Sequence, residues 1–287
     1  MKTLKQYIIE AEKNKIAIGH FNVSDLSALK AIFEKSREFN LPIIIGVSEG
    51  ERNFIGTKQI AVLIKSLREE YNYPIFLNAD HTKSLEKVKE AAEAGFDAIL
   101  FDAGEMKLED NIKETKKAIE IIKNINSEIL IEAELGYIGG SSSLLKSLPP
   151  GAAIKTEDLT MAEDAACFVR ETGVDLLAPA IGNIHGIISS GNPKLNIERI
   201  VEIKKEVNVS LVLHGGSGIL DNEVSAAIDA GVSIVHINTE LRLAWRKGLE
   251  NSLKENSEEI SPYKILPGAV EEIKKVVEKK LKLFNKL

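Results

Sequence analysis

Cysteine is almost absent from this 287-residue chain, with Cys167 its only one. That excludes an internal disulfide framework and a thiolate metal cluster within one chain, and it is compatible with a reducing compartment. No apolar run reaches the ~18 residues of a membrane span. The start, MKTLKQYIIEAEKNKIAIGH, has no apolar h-region followed by a small-residue cleavage site, so the cytoplasm is the expected location. An excess of positive charge is also missing. The 37 Lys and Arg stand against 43 Asp and Glu, a net of −6 that argues against general nucleic-acid affinity. Two chemical signatures are absent as well. No HExxH occurs, and the first strand region, Ile18-Gly19-His20-Phe21-Asn22, carries one glycine where a dinucleotide fold needs GxGxxG. What the chain does have is Ile, Leu and Val along its whole length, which excludes intrinsic disorder.

Short β-rich apolar runs alternate with longer amphipathic segments. Strands are expected at 16–21, 42–47, 74–79, 97–101, 128–133, 174–180, 209–213 and 233–237. Helices are expected at 24–38, 57–71, 84–94, 108–125, 161–172, 197–206, 222–230 and 241–255, with a long polar stretch over 139–160. Gly95, Gly173 and Gly231 each end a helix shortly before a strand, a left-handed C-cap position that glycine suits. Strict alternation implies parallel strands. Eight such units imply a closed (β/α)8 barrel, a single α/β domain over 1–287 with a helical extension at about 262–287. An open doubly wound sheet is the alternative. In the tail, Val270, Ile273, Val277, Leu281 and Phe284 form one stripe, expected to pack on the barrel or on another subunit.

All five histidines, His20, His81, His185, His214 and His236, fall at or just past the ends of expected strands. In a barrel those ends share one rim, where active sites lie. His81, His185 and His214 follow the third, sixth and seventh strands. Three converging imidazoles suit Zn²⁺ with one position open for substrate, and Glu134 would add an oxygen ligand. Asp80, beside His81, is placed to transfer protons next to the metal. The turn His214-Gly215-Gly216-Ser217-Gly218 lets backbone N–H groups approach an anion, and barrels often bind phosphate beside strands seven and eight. Asn238 and Thr239 lie across the same pocket, where they would also serve as helix caps. The parts imply metal-assisted chemistry on a small phosphorylated substrate. They do not separate aldol cleavage from isomerisation or hydrolysis. No lysine ends a strongly apolar strand, which argues against a Schiff base.

The stretches AIGHFNVSDL, PIIIGVSEG, LNADHTKS, EAELGYIGG, AIGNIHG, NPKLNIERI, LVLHGGSG and INTELR occur in order across residues 2–254. On these residues the chain resembles the class II, zinc-dependent fructose-bisphosphate aldolases, including their tagatose-bisphosphate branch. The resemblance implies zinc on His81, His185 and His214, with Glu134 as the alternative metal-site carboxylate. It implies Asp80 as the proton shuttle at the cleaved bond's hydroxyl. Gly186, Gly215, Ser217 and Thr239, with Asn238 adjacent, would cradle a phosphate, and Asn22 and Ser48 would lie near the second phosphate or the substrate chain. It further implies reversible cleavage of a ketose 1,6-bisphosphate, a glycolytic lyase reaction giving dihydroxyacetone phosphate and an aldehyde. A homodimer or homotetramer follows, and a monovalent cation near the phosphate is allowed. Three positions depart from the family pattern. Asn78 stands where the family commonly has the first histidine of HxDH. The loop Gly139-Gly140-Ser141-Ser142-Ser143 lacks the acidic residue that moves the donor's proton, so Glu157 or Asp158 would replace it only with a different loop fold. His236 stands at the family's strand-eight asparagine, where an imidazole could take the donor-side hydrogen bond or proton step.

Overall fold

A parallel sheet either ends in two bare edges or closes on itself, and this one closes. The computed structural model describes residues 1–139, 142–152 and 154–287. Its strands are β1 (Ile18–Asn22), β2 (Ile43–Val47), β3 (Ile75–Thr82), β4 (Ala98–Phe101), β5 (Leu130–Leu135), β6 (Leu144–Leu145), β7 (Leu176–Pro179), β8 (Ile187–Ile188), β9 (Ser210–Leu213) and β10 (Val232–Ile237). The barrel runs β1-β10-β9-β7-β5-β4-β3-β2, with every pair parallel. β6 and β8 form a separate two-stranded piece. The helices are α1 (Leu4–Lys13), α2 (Leu26–Phe39), α3 (Glu49–Ile55), α4 (Thr57–Tyr71), α5 (Leu85–Ala94), α6 (Leu108–Ile125), α7 (Ala162–Thr172), α8 (Ile197–Glu206), α9 (Asp221–Asp229), α10 (Thr239–Glu255), α11 (Pro262–Ile265) and α12 (Pro267–Asn285). No described helix is long and apolar enough to cross a membrane.

The expected α/β alternation therefore holds, and helices over 57–71, 108–125 and 197–206 match residue for residue. Two helices went unread. α1 is a short helix started by a capping box between Thr3 and Gln6. α3 is started by a second box between Ser48 and Glu51. The polar stretch 139–160 holds β6 and one 3₁₀ turn at Thr156–Asp158. The C-terminal stripe packs on α2 and α10, with Ile273, Val277, Leu281 and Phe284 fully buried.

Alternation along the strands sorts the barrel interior into layers. At the N-terminal end Ile18, Ile44, Phe76, Leu130, Val212 and Ile234 form an apolar plug, closed from below by Leu4, Ile8 and Ala11 of α1. Two residues further up the strands the inward side chains are His20, Asn78, Glu132 and His236, all buried. Bulky aliphatics usually fill that layer. Here a polar layer supports the rim above it.

Candidate active site

The site begins with a break in β3. Register against β4 shifts between Ala79 and Thr82, and His81 has φ +43, in the left-handed region. A non-glycine residue there carries strain, and such strain concentrates at functional positions. His81 approaches two other imidazoles, with ring centroids 4.7 Å from His185 and 5.2 Å from His214. Each ring has one nitrogen committed. His81 Nδ1 donates to Asp102 Oδ2 at 2.9 Å. His185 Nδ1 donates to the Gly139 carbonyl at 2.5 Å, and His214 Nε2 to Glu132 Oε1 at 2.7 Å. Oxygen acceptors fix the tautomers of His185 and His214 and leave the second nitrogen of each as a lone pair, the arrangement typical of metal-binding histidines. At His81 burial is outweighed by Asp80, the Asp102 hydrogen bond and Glu134, which push it up to about 10, so that this ring would release a proton on binding a cation.

Those free atoms converge. His214 Nδ1 lies 3.3 Å from His185 Nε2 and 3.2 Å from Glu134 Oε1. One ligand atom each from His81, Glu134, His185 and His214 falls within 4.8 Å of all the others. Glu134 Oε1 is buried with no hydrogen-bond partner. Burial, with Asp102 nearby, pushes the Glu134 carboxyl well above its ordinary range. Burial and the field of His81 take His185 and His214 down to about 3, so both imidazoles are neutral at physiological pH. An orphaned oxygen beside two neutral imidazoles, with His81 a third nitrogen donor once it gives up its proton, fits a divalent cation, and three N and one O donor suit Zn²⁺.

Asp80 lies beside this centre. Asn22 Nδ2 donates to Asp80 Oδ2 at 2.8 Å and to Glu51 Oε2 at 3.0 Å. Asp80 Oδ1 is unpartnered, 3.8 Å from His81 Nε2 and 3.7 Å from His236 Nδ1. Burial would raise this carboxyl, but His81, His20 and His214 outweigh it and hold it well below its ordinary value. Beneath, Arg52 is 2% exposed and donates to the carbonyls of Val47 and Asp80 and to Thr82 Oγ1. His236 stacks on His20 with centroids 3.4 Å apart and planes 1° from parallel. In-plane lone pairs on parallel rings cannot meet at one ion, so this pair is no second metal centre.

The glycine turn closes the opposite wall. Gly215 has φ +63, and a Cβ there would meet the Ile184 carbonyl oxygen at 2.0 Å, so only glycine fits. Ser217 Oγ accepts the backbone N–H groups of Asn238 and Glu240, both at 3.2 Å. Asn192 Nδ2 donates to the carbonyls of Gly186 and Ser217, tying the two loops together. Asn22, Asp80, His81, His185, Gly186, His214, Gly215, Ser217, His236, Asn238 and Thr239 line one pocket, with Ser142 at its edge.

Glu134 joins these residues as the fourth member of the cluster. Ser48 does not line the pocket: its hydroxyl accepts the Glu51 N–H and caps α3. Glu157 and Asp158 are exposed and outside the pocket lining. Gly140 and Ser141 of the loop lie outside the described residues. Glu132, Asp102 and Glu51 were missed by sequence reasoning. For Glu132 a signal existed, since an acidic residue two positions before Glu134 on an apolar strand must also point inward.

A closed parallel barrel with an imidazole–carboxylate centre at its C-terminal mouth has the layout of a metal-dependent barrel enzyme. The profile of the family "Fructose-bisphosphate aldolase class-II" matches residues 2–287. A fructose-bisphosphate aldolase of Staphylococcus aureus is 35% identical over 288 residues, covering 99% of this chain and 96% of the relative. The enzyme of that name from Geobacillus stearothermophilus is 33% identical over the same extent. Among solved structures, the YdjI aldolase from Escherichia coli K12 superposes with a TM-score of 0.82 at 30% identity, covering 98% of this chain and 96% of that one. The chain belongs to the class II fructose-bisphosphate aldolase family, and it is a metal-dependent aldolase.

Proposed function

We propose that this protein is a zinc aldolase that reversibly cleaves fructose 1,6-bisphosphate into dihydroxyacetone phosphate and glyceraldehyde 3-phosphate. The observation that carries the reading is the convergence of His81, Glu134, His185 and His214 beside Asp80, facing a glycine turn across one pocket. His81, Glu134, His185 and His214 would hold the zinc ion, which would supply Lewis-acid polarisation of the ketose carbonyl. The chain's own residues do the rest. Gly186, Gly215, Ser217, Asn238 and Thr239 hold the donor phosphate at the start of α10. Asp80, oriented by Asn22 and ionised at neutral pH, accepts the hydroxyl proton as the carbon–carbon bond breaks. His236 faces the donor carbon, and it moves or holds the proton that a loop carboxylate would otherwise handle. Asn22 also reaches toward the acceptor half.

A homodimer or homotetramer fits an apolar hollow beside the pocket. Ala28, Phe54, Leu241 and Trp245 line about 350 Å³ there, and Phe54 is 80% exposed. A second reading, an aldolase acting on tagatose bisphosphate or another sugar phosphate, is favoured by one observation. His236 lines the pocket, stacked on His20, at the position where the family pattern has an asparagine. Metal analysis with cleavage assays on fructose and tagatose bisphosphates, before and after chelation, tests both. Activity lost to chelator and restored by zinc is expected, with fructose 1,6-bisphosphate preferred. Cleavage that survives chelation overturns the zinc reading, and preference for the other ketose favours the second.

A further inference from the structure

The C-terminal helix reaches the back of the glycine turn through a buried charge. Lys280 interrupts the apolar stripe of α12 and is only 2% exposed. Its ammonium pairs with Glu240 Oε1 at 2.8 Å. That oxygen also accepts the Gly218 N–H at 2.8 Å, and the Glu240 N–H donates to Ser217 Oγ at 3.2 Å. Glu240 thus stands directly behind the turn, outside the pocket lining. A carboxylate there orders the turn by accepting a backbone N–H. Its negative charge also opposes any anion bound on the other side. Lys280 cancels that charge while leaving the hydrogen bond in place.

We infer that Lys280 is a positioning residue for anion binding: it neutralises Glu240, so that the 215–218 turn keeps its shape without repelling a substrate phosphate. The inference rests on the reading that this turn holds the phosphate. It gives the tail helix a part in substrate binding besides packing. It also accounts for a lysine in a stripe otherwise built of Ile273, Val277, Leu281 and Phe284. Burying a paired lysine is costly and needs such a partner.

The test uses full-length, metal-loaded protein with inorganic phosphate as the calorimetric probe, beside steady-state cleavage kinetics. Lys280→Met is expected to weaken phosphate binding about tenfold and to raise KM with kcat little changed, because the metal centre and Asp80 are untouched. Adding Glu240→Gln to that variant is expected to restore affinity to within about threefold. A packing defect at position 280 is not mended by neutralising position 240, so this rescue separates charge from structure. Ser217→Asp places a carboxylate at the turn and reports on the underlying reading. If Ser217→Asp weakens phosphate while Lys280→Met does not, or if the double variant stays weak, the inference is overturned. If Ser217→Asp changes nothing, the turn is not the phosphate site and both readings fall. Should Lys280→Met not fold, the double variant Lys280→Met with Glu240→Gln decides, since it leaves no unpaired buried charge: phosphate affinity within about threefold of the native protein is expected, and weaker binding overturns the inference.

Discussion

Gly46 makes room for an imidazole. A Cβ at this position would lie 2.0 Å from His20 Cε1, well inside contact distance. His20 in turn is the flat surface on which His236 rests. The pair occupies matched positions of neighbouring strands, His20 opposite His236, so the backbone register itself brings the rings together. Gly46→Ala therefore displaces His20 and tilts His236. Overpacking of this kind costs about 1–3 kcal/mol, and cleavage should fall with stability, as thermal denaturation and kinetics on one preparation would show. His236→Ala tests the ring's own part. Loss of a proton-transfer group typically costs about 10²–10⁴-fold. Exchange of the donor proton of dihydroxyacetone phosphate with solvent should slow by that order while zinc content holds, and unchanged exchange would remove His236 from the reaction. Legibility at this scale followed the chemistry of each residue type. A histidine is rare and polar, so five at strand ends stood out. Asn78 and Glu132 look ordinary in sequence, and their roles depend on which face of the strand they occupy.

Elements place these side chains, and the short α3 is the least visible of them. Its seven residues, EGERNFI, have no apolar periodicity to read, and the helix exists because Ser48 and Glu51 cap each other. From it Arg52 reaches across to the end of β3, where the strand bulges to present Asp80 and His81. Burial lowers the Arg52 pKa, yet guanidinium remains charged at any physiological pH. Arg52→Met would leave the Val47 and Asp80 carbonyls without their donor. A cost of about 2–4 kcal/mol is expected, read as a lower denaturation midpoint, and kcat should fall as Asp80 shifts. Arg52→Lys should not restore either, because three acceptors at different angles need the planar fork. The strands and longer helices were legible because 2.0 and 3.6 periodicities persist over many residues. α1 and α3 were not, being short and defined by caps. The cap role of Ser48 went unread for the same reason: it depends on Glu51 three residues on.

At the scale of the whole molecule, an ion held by the imidazole–carboxylate cluster would tie distant parts of the barrel together. His81 comes from β3, Glu134 from β5, His185 from the segment after β7 and His214 from the end of β9. Four separate parts of the barrel meet at atoms within 4.8 Å, and no apolar contact replaces an ion among them. The closed topology could be inferred from eight alternating units, the number that closes a (β/α)8 barrel, together with the missing GxGxxG of the open alternative. The polar layer beneath the rim could not, since it emerges only when alternate residues of strands distant in sequence are stacked at one height. An ion that binds this arrangement has no equivalent site in the unfolded chain, so its binding free energy adds to folding stability. At a hundredfold excess of free zinc over its dissociation constant the gain is about 2.7 kcal/mol, or about 5–10 °C in Tm for a chain of this size. Chelation should remove that increment together with all cleavage activity, and zinc should return both. The increment should shrink in His185→Ala and in His214→Ala, each of which removes one donor, and stay intact in Asp80→Asn, which abolishes cleavage while sparing the cluster. Calorimetric scans of these proteins with and without zinc decide the matter. A Tm that ignores zinc in the native chain, or one that rises equally in all the variants, would mean that these four side chains do not hold the ion.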